Sequence, residues 1–511
     1  MVLHFAGKCH QSKRIKLIKV RGSVQVCLGM TTELCGAGPR HRRVKIGALP
    51  DDVLLEVFSI YMDKAYGEEW LTLVHVCRRW RSVVFASPHR LDLQLLCTPK
   101  RPVRQMLNIW PALPINVWGH DDDDDATSLE KGADNIIAAL EHNDRLRKID
   151  FGCVPGSVLE RFVTVMRGPF PTLTSLTISV YGECPPLFPL LSGSAPCLRH
   201  LILKRIPFPA PPKLLLSAPD LVILDLRDIP YSEYISPKTV ATCLSAMTRL
   251  TILRIEFDSP RSGPDRASRR LPPLTRTLLP ALTSLRFKGV SNYLEDLGSQ
   301  IDVPLLNNLS IFFFNQLIFH TPQLRQFISR SEKLNAFDEA DVNFDDQSAG
   351  MSLFALTRAV DPARLTLGIS SSQSDWQLSS LTQVCSSALA SLSTLRRLDI
   401  SGRRYRRSHL PDNTESTQWL ELFRLFTAVK DLYLTQEPEL HIAAALQELA
   451  RERVMEMLPA LQNLFLRWRR PSGPVLEAIR QFVAARQLSG HPVVFHCVER
   501  GMWVAKAPED I

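Results

Sequence analysis

One pattern constrains this chain more than any other. A leucine (once a valine), a second apolar residue three further on, and a third two beyond that return together ten times. The units are Leu146/Ile149/Phe151, Leu173/Leu176/Ile178, Leu198/Leu201/Leu203, Leu221/Leu224/Leu226, Leu250/Leu253/Ile255, Leu282/Leu285/Phe287 and Leu306/Leu309/Ile311. After a vaguer stretch come Leu395/Leu398/Ile400, Val429/Leu432/Leu434 and Leu461/Leu464/Leu466. The first seven start 27, 25, 23, 29, 32 and 24 residues apart. The last two apolar positions of each unit lie two apart, the period of a strand. Helical patterns fall between units, as in 417–430, 441–457 and 475–488. A strand–helix unit this small cannot bury its own apolar face, so it must stack on its neighbours. The residues therefore predict a solenoid, with a parallel sheet on the concave side and helices on the convex side. Six units carry a proline two before the first leucine: Pro171, Pro196, Pro219, Pro280, Pro304 and Pro459. Proline cannot donate to a strand ladder, which suits a position just ahead of a strand.

Pattern and period resemble leucine-rich repeats, which run about 20–29 residues each. The resemblance departs at the position three after the strand's last leucine, where a regular repeat carries Asn or Cys. Here those positions hold Tyr181, Ile206, Ile229, Asp258, Val290, Phe314, Arg403, Glu437 and Arg469. An irregular solenoid is expected, with a broken or bulged repeat in 334–370. Residues between the second and third apolar positions should face the concave side. They read Thr177, Ile202, Asp225, Arg254, Arg286, Ser310, Asp399, Tyr433 and Phe465. Arginine and aromatic side chains are common binding anchors, so Arg254, Arg286, Tyr433 and Phe465 are candidate substrate-binding residues. A solvated strand face carries such mixtures too.

A second module precedes the repeats. Pro50 suits the start of a helix, and Asp51 and Asp52 put negative charge at the positive end of its dipole. Leu54, Val57, Phe58 and Tyr61 then form one apolar stripe, with Leu55 and Ile60 off it. Trp70, Leu73, Val74, Cys77, Trp80 and Val84 recur at three and four, and Pro88 ends the pattern. Some 45 residues thus carry two or three short helices with more apolar surface than so small a unit can bury, which suggests a partner surface.

Leu49-Pro50, the run Leu54-Leu55-Glu56-Val57-Phe58, and Val76-Cys77-Arg78-Arg79-Trp80 resemble the F-box pattern. The resemblance implies binding of a Skp-type adaptor that bridges to a cullin complex. It implies adaptor contact, or support of the contacting helices, for Leu49, Pro50, Leu54, Val57, Phe58, Val76 and Trp80. Two features depart from the family: Asp92 where many members have Trp, and the longer polar link Asp63–Glu69. The next stretch resembles the region after the F-box in fungal relatives, with a strand expected at Trp110–Ile115 and alternation of Leu91, Leu93 and Leu95.

Charge and cysteine content exclude other classes. The chain has 511 residues, 45% hydrophobic and 22% charged, which suits a packed core rather than wholesale disorder. The formal charge of +9 lies entirely within residues 1–45, where ten basic residues meet the single acid Glu33. That composition predicts a poorly ordered tail. A nucleic-acid role through the tail is the weakest alternative, because the body is charge-balanced. The eleven cysteines form no C-x-x-C, so a metal ribbon or a redox motif is not expected. No run of 18 apolar residues exists, so no membrane span is expected.

Asp121–Asp125 and Arg403–Arg407 read as solvated loops, and His496 and Cys497 fall on opposite faces of a final strand. No cofactor, metal or catalytic motif is expected. The expected fold class is α/β: a short three-helix F-box, then an irregular leucine-rich-repeat solenoid. The expected divisions are 1–45 tail, 46–92 F-box, 93–140 transition with the acidic loop, 141–500 solenoid and 501–511 tail. The expected role is that of a non-catalytic substrate receptor in a ubiquitin ligase of cytoplasm or nucleus, with an unnamed protein substrate. The alternative is a repeat scaffold outside a ligase.

Overall fold

The structure is a computed structural model. It describes residues 49–511 except 63–69, 120–125, 167, 183, 185–193, 208–212, 231–234, 261–275, 315, 317–318, 346–347, 356–361, 371–376, 390–391, 403–412, 436–444, 449–456, 468–472, 500–501 and 507–511; before 49 it describes the backbone of four strands. The Asp63–Glu69 link, the Asp121–Asp125 run and the Arg403–Arg407 cluster lie outside the described residues. The chain divides into two compact units: 1–96 with 107–116, and 97–106 with 117–511.

In the first unit the four strands are β1 (Val2–Phe5), β2 (Lys13–Val20), β3 (Ser23–Met30) and β4 (Val44–Lys45), paired antiparallel in that order. Composition alone predicts a poorly ordered tail here. The alternation of basic and apolar residues is also the pattern of a strand, and the backbone follows it. Three helices come next: α1 (Asp51–Met62), α2 (Trp70–Val74) and α3 (Arg78–Ala86). Leu91, Leu93 and Leu95 are all buried, yet only Leu95 lies in a strand, β5 (Leu95–Cys97). Trp110–Pro114 is not a strand; a helix spans Val103–Ile109 and the strand, β6, is Ile115–Trp118.

The second unit is the solenoid. Its sheet starts with β7 (Leu146–Pro155), β8 (Ser175–Tyr181), β9 (His200–Lys204), β10 (Ile223–Ile229) and β11 (Ile252–Phe257). β12 (Thr277–Leu278) pairs with β14 (Ile301–Asp302) in a small parallel sheet of its own. The main sheet continues with β13 (Ser284–Gly289) and β15 (Asn308–Phe314). It ends with β19 (Arg397–Gly402), β20 (Asp431–Thr435), β21 (Asn463–Leu466), β22 (Val494–Glu499) and β23 (Met502–Lys506). Each of the ten units in the sequence is a strand. Register aligns Ile149, Leu176, Leu201, Leu224, Leu253, Leu285 and Leu309 across parallel neighbours. These side chains are 0–2% exposed.

The break expected in 334–370 is a strand reversal. β16 (Glu339–Phe344), β17 (Ser348–Phe354) and β18 (Arg364–Ser370) fill the sheet between β15 and β19 in the order β15-β18-β17-β16-β19. β18 is parallel to β15 and β16 is parallel to β19, so β17 alone runs antiparallel to both its neighbours. The sheet stays continuous through the break.

Helices cover the leucine face: Phe162 of the helix Gly156–Val165 meets Phe151 at 4.9 Å, and Tyr293 of Ser291–Gln300 meets Phe257 at 4.8 Å. The helical pattern at 417–430 is realised as Asn413–Phe423, and that at 475–488 as Gly473–Leu488; of 441–457, residues 445–448 are described as helical.

Two hydrogen-bonding devices recur at the strand entrances. Each proline before a strand is the second residue of a β-turn, in which the first leucine's N–H reaches back three residues, from Leu173 to the Phe170 carbonyl and from Leu306 to that of Val303. Directly after that leucine, Thr174, Thr251 and Thr283 donate hydroxyl bonds of 2.9–3.2 Å to Arg147, Val222 and Thr251 carbonyls, one unit back.

Candidate functional site

The helices of the first unit are held by a few definite contacts. The Leu54 N–H donates to the Pro50 carbonyl at 3.0 Å, so Pro50 stands just ahead of α1 as its cap rather than inside its first turn. Cys77 caps α3, its sulfur accepting from the Trp80 N–H at 3.5 Å. Arg79 joins the two helix starts. Its Nε and Nη2 donate to Asp51 Oδ1 at 2.9 and 2.6 Å, and Nη2 also donates to the Leu49 carbonyl. Exposed as it is, this pair adds little stability but fixes geometry. Beneath it Phe58 and Trp80 meet at 4.7 Å. Trp70 is fully buried, donates Nε1 to the Gln94 carbonyl at 2.9 Å, and meets Trp110 edge-on at 5.2 Å. Trp110 also lines a depression of about 690 Å³ with His75, Arg81, Phe85, Ile109 and Pro111.

These contacts divide the adaptor candidates in two. Leu54, Val57, Phe58 and Trp80 are buried and hold the helices together. Leu49 is half-buried, Pro50 exposed and Val76 41% exposed. Val53, which the stripe pattern passes over, is 40% exposed. The apolar rim left to solvent is therefore Leu49, Pro50, Val53 and Val76, at or near the two helix starts that Arg79 ties. Asp92 has a physical reason to be where it is: its φ is +48°, a left-handed conformation that Asp tolerates and Trp does not favour.

On the second unit the open face of the sheet carries the row expected between the leucines, in register. Asp225, Arg254, Arg286 and Ser310 are consecutive partners, as are Asp341, Asp399, Tyr433, Phe465 and His496. Arg254 and Arg286 are thus neighbours, and so are Tyr433 and Phe465. The two pairs lie apart, with β15, β18, β17, β16 and β19 between them.

At the aromatic end Tyr433 stacks on Phe465 at 4.3 Å and Phe465 on His496 at 4.4 Å, while Arg397 lies 4.0 Å over Tyr433. The Tyr433 and Phe465 rings use their faces on one another and on these neighbours. His496 contacts Asn463 Oδ1 at 3.2 Å, and burial lowers its pKa while Asp431 opposes. Asp341 is pushed above the usual carboxylate range, first by burial and then by Asp399 beside it.

At the arginine end Asp225 accepts from Arg227 Nε and Nη2 at 2.9 and 2.5 Å and from Arg254 at 3.2 Å. Glu256 lies 2.6 Å from Arg286 and 3.8 Å from Arg254. Arg227, Asp225, Arg254, Glu256 and Arg286 form one ionic chain across three strands. Sequence spacing finds Arg254 and Arg286 but passes over Glu256 and Lys288, two residues beyond them on the same strands, and Arg397, two residues before Asp399 on its own.

Among the described residues no group of His, Cys, Asp and Glu could hold a metal, and no helix is long and apolar enough to cross a membrane. An F-box-like family model matches residues 46–91. No curated protein matches the chain.

Proposed function

We propose that this chain is the substrate-receptor subunit of a Skp-cullin-F-box ubiquitin ligase, acting in cytoplasm or nucleus. The F-box-like match over the three helices carries the reading. Leu49, Pro50, Val53 and Val76 form the apolar rim that meets a Skp-type adaptor, and Leu54, Val57, Phe58 and Trp80 keep that rim in shape. The open face of the solenoid takes a protein substrate. The chain itself makes and breaks no bonds; it raises the local concentration of substrate beside a conjugating enzyme, which is catalysis by proximity.

Co-expression with a Skp-type adaptor tests the reading. The wild-type chain should co-purify with the adaptor and, through it, with cullin. Val53→Asp with Val76→Asp should abolish recovery while the helical circular dichroism stays unchanged, since both side chains are at the surface. A wild-type chain that recovers no adaptor refutes the reading. Recovery of adaptor without cullin would favour a scaffold outside a ligase.

A further inference from the structure

The arginine end of the open face is built unevenly in depth. The side chains of Asp225 and Glu256 are 7% and 11% exposed, whereas those of Arg227, Arg254 and Arg286 are 37%, 26% and 46% exposed. The two acids are sunk beneath three guanidiniums, so cations are what solvent meets. Two acids against three guanidiniums leave a net positive charge. Lys288, two residues beyond Arg286 on the same face, adds another. The outer side is braced by aromatic rings: Arg286 lies 5.7 Å over Phe312 and Lys288 lies 5.6 Å over Phe314.

We propose that Arg227, Arg254, Arg286 and Lys288 form a docking surface for an acidic peptide segment, whose Asp or Glu carboxylates the guanidiniums and the ammonium receive. The proposal rests on the substrate-receptor reading and names the chemistry of what is received. Three physical points carry it. Arg227, Arg254, Arg286 and Lys288 outnumber Asp225 and Glu256 by two, and the nearby Asp228 is matched by Lys204, so the complement is an anion. The sunken acids and the rings hold the cationic groups before a ligand arrives, which lowers the ordering cost of binding. Neighbouring strands lie about 4.8 Å apart and Arg227 is two residues out of register with Arg254 and Arg286, so the three arginines fall within about 12 Å, a span that a few residues of extended peptide cover. Asp225 and Glu256 are positioning residues here; they aim the arginines and do not touch the ligand.

The test uses the full chain and fluorescein-labelled octapeptides of glutamate, of glutamine and of phosphoserine alternating with glycine, read by anisotropy. The glutamate peptide should bind and the glutamine peptide should not. Arg286→Ala with Lys288→Ala should weaken glutamate binding by about tenfold or more. Asp225→Asn makes the surface one charge more positive yet should weaken glutamate binding, though less than the double variant does, because Arg227 and Arg254 lose the acid that aims them. Glutamate binding that survives Arg286→Ala/Lys288→Ala would place the anion elsewhere, for instance on the basic residues 1–45, and overturn the proposal. Arg286-dependent binding of the phosphoserine peptide without glutamate binding would overturn the carboxylate assignment. Adaptor recovery is measured on the same variants. Its loss in Val53→Asp/Val76→Asp with peptide binding kept separates failure of this surface from failure of the receptor reading.

Discussion

Asp341 shows how one side chain can be costly where it stands. Burial and the neighbouring Asp399 hold its carboxyl above the usual carboxylate range, and the Ser401 hydroxyl and Arg364 pull it back only in part. An acid whose pKa rises on folding favours the folded state while protonated, and that contribution is lost as pH climbs through the folded-state value. Asp341→Asn should therefore raise the melting temperature at about pH 7.5 and change it little near about pH 4, where both states of the wild type carry the proton more fully. An equal effect at both pH values would show that charge is not the cause. The cysteines divide on the same physics. Burial pushes the Cys97 thiol up to about 12 and also raises Cys243 and Cys385, whereas Cys153 and Cys197 are exposed. Because the thiolate is the nucleophile, native alkylation at about pH 8 should label Cys153 and Cys197 and leave Cys97, Cys243 and Cys385 for the denatured chain. Peptide mapping by mass spectrometry reads the result.

At the scale of elements, the strands that announce themselves are those whose leucines repeat. β16 and β17 do not, because Glu339–Phe344 and Ser348–Phe354 draw their inner residues largely from Ala, Val, Gly, Met and Ser, and an antiparallel insertion breaks the count from one unit to the next. What lets this insertion join the sheet is side-chain size. Gly368 on β18 lies beside Phe312 on β15, and a Cβ there would come 2.5 Å from the ring. Gly368→Ala should cost about 1–3 kcal/mol in urea unfolding, because Phe312 must leave its place. Gly298, inside the helix Ser291–Gln300, makes the contrast: its Cβ would meet Phe327 at an ordinary 3.6 Å. Gly298→Ala should be neutral or stabilise by up to about 1 kcal/mol through helix propensity. Equal losses at both positions would mean that general crowding, rather than the Phe312 contact, sets the cost. The threonine ladder after the first leucine is another device the repeat pattern hides, since it sits outside the positions a leucine count reads.

At the scale of the whole chain, the helical motif is legible from Leu49 to Trp80 because its residues act locally, each on a neighbouring turn. Where the compact unit ends is not, because its last members come from further along. Residues 107–116 belong with 1–96, and the reason is Trp110, which closes over Trp70 and Phe85 at 5.2 and 6.2 Å. A boundary placed at 92 from the helices alone would remove both Trp110 and the Gln94 carbonyl that receives the buried Trp70 N–H. An orphaned indole N–H costs about 1–3 kcal/mol, and losing part of an aromatic contact adds to it. A fragment of residues 46–92 should therefore unfold at lower urea than one of residues 46–119, followed by tryptophan fluorescence. In the full chain Trp110→Ala should destabilise the first transition in the same direction, with no new terminus to fray. Equal midpoints for the two fragments, together with an unaffected Trp110→Ala chain, would mean that the three helices close their core without residues 107–116.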